Sequence, residues 1–230
     1  MRTVILTPYR PRTERDSVLW QWVIGWITAN YPMPIFTGDN AGPFSRSAAR
    51  NNAARLAGDW DVAVFHDSDT IAHPDAVAKA IDMAANSSQM VVTADSHMYC
   101  NESSTDRILQ SGVPMFPRPD TFDKHGIYER PCSGIFAVNR DVFTKVGGYV
   151  DSLTGYGYED LVFLQMCGIF AGGNTWVPGH INLHLWHPPS PRTDDTSINE
   201  NVWQSLTEFR ISRDPAGARK YLASLGHTVP

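Results

Sequence analysis

The chain has 230 residues, with 19 Lys and Arg against 24 Asp and Glu, for a net charge of −5. That length suits one large or two small domains with a real core, and the acidic balance argues against a protein built to neutralise a nucleic-acid polymer. Apolar residues at 42% and charged residues at 19% describe an ordinary globular chain; no apolar run reaches the roughly 18 residues of a membrane span, and the run 4–7, stopped by Pro8, is too short for a secretory leader, so a cytoplasmic protein is expected.

Residues 4–7 have the pattern of a buried first strand. Val18, Leu19, Trp22, Val23, Trp26 and Ile27 then recur at helical spacing, with Asn30 and Pro32 as the stop. A second strand is expected over 34–37, closed by Gly38-Asp39-Asn40, and Ser45 caps a helix that Gly58 ends. A third strand over 61–66, a helix over 74–85 with Pro74 at its start, and a fourth strand over 89–94 follow. This alternation predicts an α/β unit with a mainly parallel sheet. Residues 95–131, rich in Pro, Ser, Asp and Arg, read as long loops. A strand at 133–138, helices at 141–146 and 159–170, and strands at 174–177 and 181–186 complete one domain over 1–190. The remaining 191–230 form a polar tail, partly helical around 199–210 and 215–225. Cys100, Cys132 and Cys167, odd in number and without metal-type spacing, read as reduced thiols.

The sharpest chemical signal is His66-Asp67-Ser68-Asp69, at the end of the third strand. Ligands of open α/β sheets bind beyond the carboxyl ends of the strands, and two carboxylates one residue apart can hold a divalent cation with positions open for phosphate oxygens. A surface turn fits this pair equally well. Asp59-Trp60-Asp61, at the opposite end of the same strand, reads as a solvated turn. Glu159-Asp160 follows the loop Thr154-Gly155-Tyr156-Gly157-Tyr158 and opens an apolar helix. Such acids can simply complement a helix dipole, or aim a carboxylate into a cleft as a general base. In His184-Leu185-Trp186-His187 a flat strand would send the two imidazoles to opposite sides, so both are not expected on one ion. One imidazole joining a carboxylate site would favour Mn²⁺ over Mg²⁺.

The order of these pieces, together with the run from Ser133-Gly134-Ile135-Phe136 through Asn139-Arg140-Asp141-Val142-Phe143 to Val146-Gly147-Gly148-Tyr149, resembles the GT-A glycosyltransferases, especially family 2 enzymes and the carboxyl half of the β-1,4-galactosyltransferase-like catalytic domain. The resemblance covers residues 1 to about 190 and is strongest over 132–165. It implies an α/β, Rossmann-like nucleotide-sugar-binding domain with a mixed, mainly parallel sheet flanked by helices, its donor-binding part about 1–95 and its acceptor and catalytic part about 96–190. On this likeness Thr7, Pro8, Tyr9 and Arg10 line the nucleotide, Asp39 contacts uracil, and Arg50 and Asn51 face the nucleotide. Asp67, Ser68, Ser133 and Gly134 contact the nucleotide sugar. Asp67, Asp69 and His187, with His184 in reserve, hold Mn²⁺ or Mg²⁺. Asp160 is the base of an inverting transfer, and Glu159, Tyr156 and Gly157 contact the acceptor.

The expected function is metal-dependent transfer of a sugar from a UDP-sugar to an acceptor hydroxyl on a glycan, a protein or a small molecule. Arg10 or Arg12 would add hydrogen bonds to phosphate. His97, Tyr99, Asp120 and Trp203 could line the acceptor side, though loop packing explains them as well, and a tail carrying Arg192, Asp194 and Asp195 could close over the donor. The alternatives are a non-catalytic nucleotide-sugar- or carbohydrate-binding module, a nucleotidyltransferase, which would carry a Gly-rich loop after the first strand, and a zinc hydrolase using His184, His187 and an acid.

Overall fold

The computed structural model describes residues 1–111, 124–155, 157–189 and 194–230. Its central layer is a six-stranded sheet in the order β2-β1-β3-β8-β5-β9. These strands are β1 (Thr3–Pro8), β2 (Ile35–Gly38), β3 (Val62–His66), β5 (Met90–Val92), β8 (Ile135–Asn139) and β9 (Asn174–Trp176). β1 runs parallel to both β2 and β3, and β5 runs parallel to β9. β8 lies antiparallel between β3 and β5, so the sheet is mixed.

Both faces of this sheet are covered, which is why its strands read as nearly continuous apolar runs. Alternate residues serve different cores. Val4, Leu6, Ala63, Phe65, Phe136 and Val138 face one core, which includes buried residues of α2 (Arg46–Leu56), α5 (Arg140–Lys145) and α6 (Glu159–Phe170). Ile5, Val62, Val64, Ile135 and Ala137 face the other, filled by α1 (Glu14–Asn30) and α3 (Pro74–Ala85). Thr13 caps α1, its hydroxyl accepting from the Asp16 N–H at 3.2 Å while the Asp16 carboxylate accepts from the Thr13 N–H at 3.1 Å. This reciprocal pair satisfies two otherwise orphaned donors. The 191–230 tail is not a surface appendage where it is described. Val202 and Leu206 of α7 (Asp194–Ser212) and Ala218 and Leu222 of α8 (Pro215–Ser224) are buried in the same core as α6. None of the described helices is long and apolar enough to cross a membrane.

Residues 95–131 depart from the expected loops. They contain β6 (Ser96–Cys100), α4 (Glu102–Ser111) and β7 (Lys124–Glu129). β6 pairs antiparallel with β7 and parallel with β10 (Ile181–His184), which in turn pairs with β4 (Thr70–Ile71) in a second sheet ordered β4-β10-β6-β7. The loop-like composition has a physical cause. Met98 and Cys100 face the core, while His97 and Tyr99 on the alternate face line a cavity and supply no apolar repeat. In α4 the buried positions include Ser104 and Thr105 beside Ile108, which hides the helical stripe.

Asn51 has a structural place. Its Nδ2 donates to the Tyr149 carbonyl at 2.8 Å and to Asp151 Oδ1 at 2.6 Å, and its Oδ1 accepts from the Tyr149 N–H at 2.9 Å. The side chain thereby ties α2 to the turn at Gly147-Gly148-Tyr149. Gly148 is required there, with φ +75° and a Cβ that would lie 2.7 Å from Asn51 Oδ1. Asn51, expected to face the nucleotide, therefore has its polar atoms engaged in bracing the fold. Asn51→Ala should strand a buried N–H and C=O and cost about 2–3 kcal/mol. Urea unfolding would show that loss, and unchanged stability of Asn51→Ala would reverse the assignment.

Candidate functional site

A cavity of ≈ 700 Å³ opens at the carboxyl ends of β1 and β3 and is roofed by the second sheet. Pro8, Tyr9, Arg10 and Arg12 reach it from the end of β1, Asp67, Ser68 and Asp69 from the end of β3, and Ser133 and Gly134 from the start of antiparallel β8. Gly157, Tyr158, Glu159 and Asp160 enter from the start of α6, and His184, Trp186 and His187 from the end of β10. Edge and topology together place the cleft where open α/β sheets bind ligands.

Asp69, His184 and His187 converge in this cavity, their ligand atoms all within 4.8 Å of one another. His187 Nε2 lies 3.3 Å from Asp69 Oδ2, and His184 Nε2 lies 3.6 Å from Asp69 Oδ1. The flat-strand expectation that separated the histidines fails because β10 ends at His184. Beyond it the Leu185 N–H donates to the Asp69 carbonyl at 2.8 Å, and the chain leaves the alternating ladder, which brings His187 round to the same carboxylate. Burial lowers the His184 pKa, keeping its lone pair available. Burial opposes charge on His187 too, but its hydrogen bond to Asp69 outweighs this and raises its pKa. Burial would raise Asp69, yet the two imidazoles hold its carboxyl well below the usual range. A carboxylate with two imidazoles on one side of an open cleft is a donor set suited to a divalent transition-type cation with free positions.

Asp67 stands apart from this cluster. Its Oδ1 accepts from Arg50 Nη2 at 2.6 Å. The same guanidinium reaches Asp160 Oδ1 from Nη1 at 2.6 Å and Glu159 Oε1 at 3.6 Å, and its plane lies over the Tyr149 ring at 5.0 Å. Arg46, one helical turn earlier, reaches Glu159 Oε1 at 3.3 Å. Burial pushes the Asp160 carboxyl up to about 7 despite Arg50, helped by the nearby charges of Glu159 and Asp67. Burial acts on Glu159 in the same sense, but Arg46 and Arg50 overcome it and lower its pKa. The adjacent acids thus separate, one ionised and paired, the other poised near neutrality, which is the signature of a tuned acid–base pair.

Among the described residues, several expected nucleotide contacts do not line the cavity. Thr7 is fully buried behind Pro8 and Tyr9. Asp39 is bound to Arg10, whose Nη2 lies 2.7 Å from Asp39 Oδ1, while Arg10 Nη1 donates to the Gly42 carbonyl at 2.7 Å. Asp39 therefore positions a cavity residue and is not one itself. Arg50, at 1% exposure, acts through Asp67 and Asp160 from behind the wall. Tyr156, Asp120 and Arg192 lie outside the described residues. Arg46, Phe44, Cys132 and Tyr128 line the cavity without having been singled out in the sequence. Arg46 was findable, since it stands four residues before Arg50 and the two share a helix face.

His97 is nearly buried against this site, its ring 5.8 Å from that of His184, and burial drives its pKa down to about 3. Neither ring nitrogen has a hydrogen-bond partner. Arg12 completes the near side, with Nη2 3.5 Å from His187 Nδ1 and Nε 3.2 Å from Asp16 Oδ2.

Comparison with known proteins follows the same lines. The model of the family described as glycosyltransferase like family 2 matches residues 27–171. No curated protein sequence matches the chain. Among solved structures, GalNAc-T7 with UDP, GalNAc and Mn²⁺ superposes with a TM-score of 0.54 at 13% identity, covering 99% of this chain and 55% of that one. TarS of S. aureus gives 0.52 at 12% identity, covering 90% and 65%. A Drosophila β1,4-galactosyltransferase 7 complex with manganese, UDP-Gal and xylobiose gives 0.47 at 15% identity, covering 77% and 65%. The chain thus spans less than two thirds of the length of each of these three. At such identities the likeness of the first two shows the fold, a GT-A-like α/β domain with a mixed sheet flanked by helices. Together with the family match over most of its length, this makes the chain a member of the glycosyltransferase family 2-like proteins.

Proposed function

We propose that the chain is a metal-dependent, inverting glycosyltransferase that moves a sugar from a UDP-sugar to an acceptor hydroxyl, with Asp160 as the general base. The observation that carries this reading is the convergence, in one cavity, of a three-donor cluster at Asp69, His184 and His187 with the Arg50-paired carboxyl of Asp160, whose pKa burial raises. UDP and Mn²⁺ in the GalNAc-T7 structure support the choice of donor and cation class.

The donor set fits Mn²⁺ better than Mg²⁺, because two of its three ligands are nitrogen. A cation held there would supply positive charge to the leaving diphosphate. Asp69 and both histidines would hold that cation, and burial, which lowers the His184 pKa, keeps a lone pair available for it. Arg10, braced by Asp39 and the Gly42 carbonyl, and Arg12 beside His187 point charge at the same space, where charge-assisted hydrogen bonds to phosphate are strong. Arg50 engages Oδ1 of Asp160, so Oδ2 is the oxygen offered to the acceptor hydroxyl. That carboxylate takes the proton as the hydroxyl attacks, and direct displacement by one base inverts the anomeric centre.

Turnover separates this reading from a binding module. With Mn²⁺, UDP-sugars and candidate acceptors, UDP release should fall by roughly 10²–10⁴-fold in Asp160→Asn, and a similar loss is expected in Asp69→Ala. UDP release indifferent to both substitutions sinks the assignment, and binding without turnover by the parent protein would favour the module. The pH dependence follows from the raised Asp160 pKa. The base works only when ionised, so kcat/KM should climb with pH and level off above about 7. A rate already flat from pH 5 upward would contradict that role.

A further inference from the structure

The second sheet sets the residues of one face in rows fixed by register, and His97, Tyr99, Gly126, Tyr128 and His184 of these rows line the cavity. Thr70, His184, Tyr99 and Gly126 stand side by side on β4, β10, β6 and β7, and Asn182, His97 and Tyr128 form the next row. Directly opposed residues share a face, so both rows look the same way. The Tyr99 ring lies 4.6 Å from that of His184 and 5.4 Å from that of Tyr128, which meets it edge-on at 77°. A continuous aromatic path therefore leads from the Asp69–His184–His187 cluster out to the rim. Tyr128 is 62% exposed and Tyr99 39% exposed, unusual for rings that line a cavity. Gly126 leaves the sheet face beside Tyr128 bare; a Cβ there would sit 3.5 Å from the Tyr128 ring. His97 stands directly opposite Tyr128 in register and is nearly buried, its ring 4.9 Å from that of Tyr99.

We propose that this sheet face is the acceptor subsite and that the acceptor is a carbohydrate, stacked by the C–H face of a pyranose ring on Tyr128 and Tyr99. The inference rests on the proposed function in placing the donor at the metal cluster. A pyranose presents weakly positive C–H groups on one face and hydroxyls around its edge, and a tyrosine ring presents a negative face with a polar tip. Stacking buries the apolar face of the sugar and leaves the hydroxyls at its edge open to solvent. A peptide serine or threonine has no such flat face to bury. The path of rings also gives a direction. A saccharide lying on it extends from the transfer site toward solvent, so the acceptor can be the end of a longer chain.

Saturation-transfer NMR tests this without relying on turnover. The intact protein with Mn²⁺ and UDP is titrated with methyl glucosides, galactosides and mannosides and with their 1,4-linked disaccharides. At least one saccharide should bind, Tyr128→Ala should weaken it about three- to tenfold, and Tyr128→Phe should retain it. Tyr128 is an exposed surface position, so both variants should fold. Binding of no saccharide by the parent protein, or equal binding by Tyr128→Ala, overturns the proposal. UDP titration of the same samples keeps the two readings apart. Loss of saccharide affinity with UDP affinity intact supports the platform, whereas saccharide binding that depends on Tyr128 in a protein that never binds UDP upholds the platform and removes the nucleotide-sugar reading.

Discussion

A single buried guanidinium organises this site. Arg50 is almost completely withdrawn from solvent, and a charge in that position must be paired or it destabilises the fold by several kcal/mol. Its partners come from two distant pieces of chain, Asp67 at the end of β3 and Asp160 at the start of α6, with Glu159 close by. Satisfying Arg50 therefore pulls the two halves of the cleft into one edge of the sheet. The same contact has an electrostatic result. Two acids next to each other in sequence end with opposite tendencies, because Glu159 has both Arg46 and Arg50 while Asp160 is dominated by burial.

The alternation of strands and helices through β5 was legible because it follows from burial of both sheet faces, which writes apolar runs directly into the sequence. The segment 95–131 was not, since the outer face of β6 lines the cavity and carries His97 and Tyr99 where a core strand would carry valine or isoleucine. The chemistry was legible in kind more than in geometry. Asp69, His187 and Asp160 sit in the cavity where the motifs suggested, but the convergence of His184 with His187 depends on where β10 stops, which no residue pattern marks. Asn51 and Asp39 show the opposite limit. Each is a polar residue at a suggestive place whose hydrogen bonds are spent on the fold, Asn51 on the Tyr149 turn and Asp39 on Arg10. Sequence identifies a side chain able to bind, and only its neighbours decide whether it is already engaged.

The division of labour across the cleft now has a structural basis. Residues following β1 and β3 present arginines and acids to the cavity, the second sheet contributes the histidines and a band of aromatic rings, and α6 brings Asp160. Net acidity of the chain does not bar an anionic ligand from this cavity. The negative charge of the site is concentrated on acids that are either paired with arginine or gathered with imidazoles, so the surface balance of −5 says little about the cavity.

The central claim is that Asp160 drives one direct displacement at an anomeric carbon. Following the anomeric proton of donor and product by ¹H NMR during a single transfer reaction tests it most directly. The account predicts a new glycosidic bond of the anomeric configuration opposite to that of the donor, formed in step with UDP release. A product of unchanged configuration would contradict it.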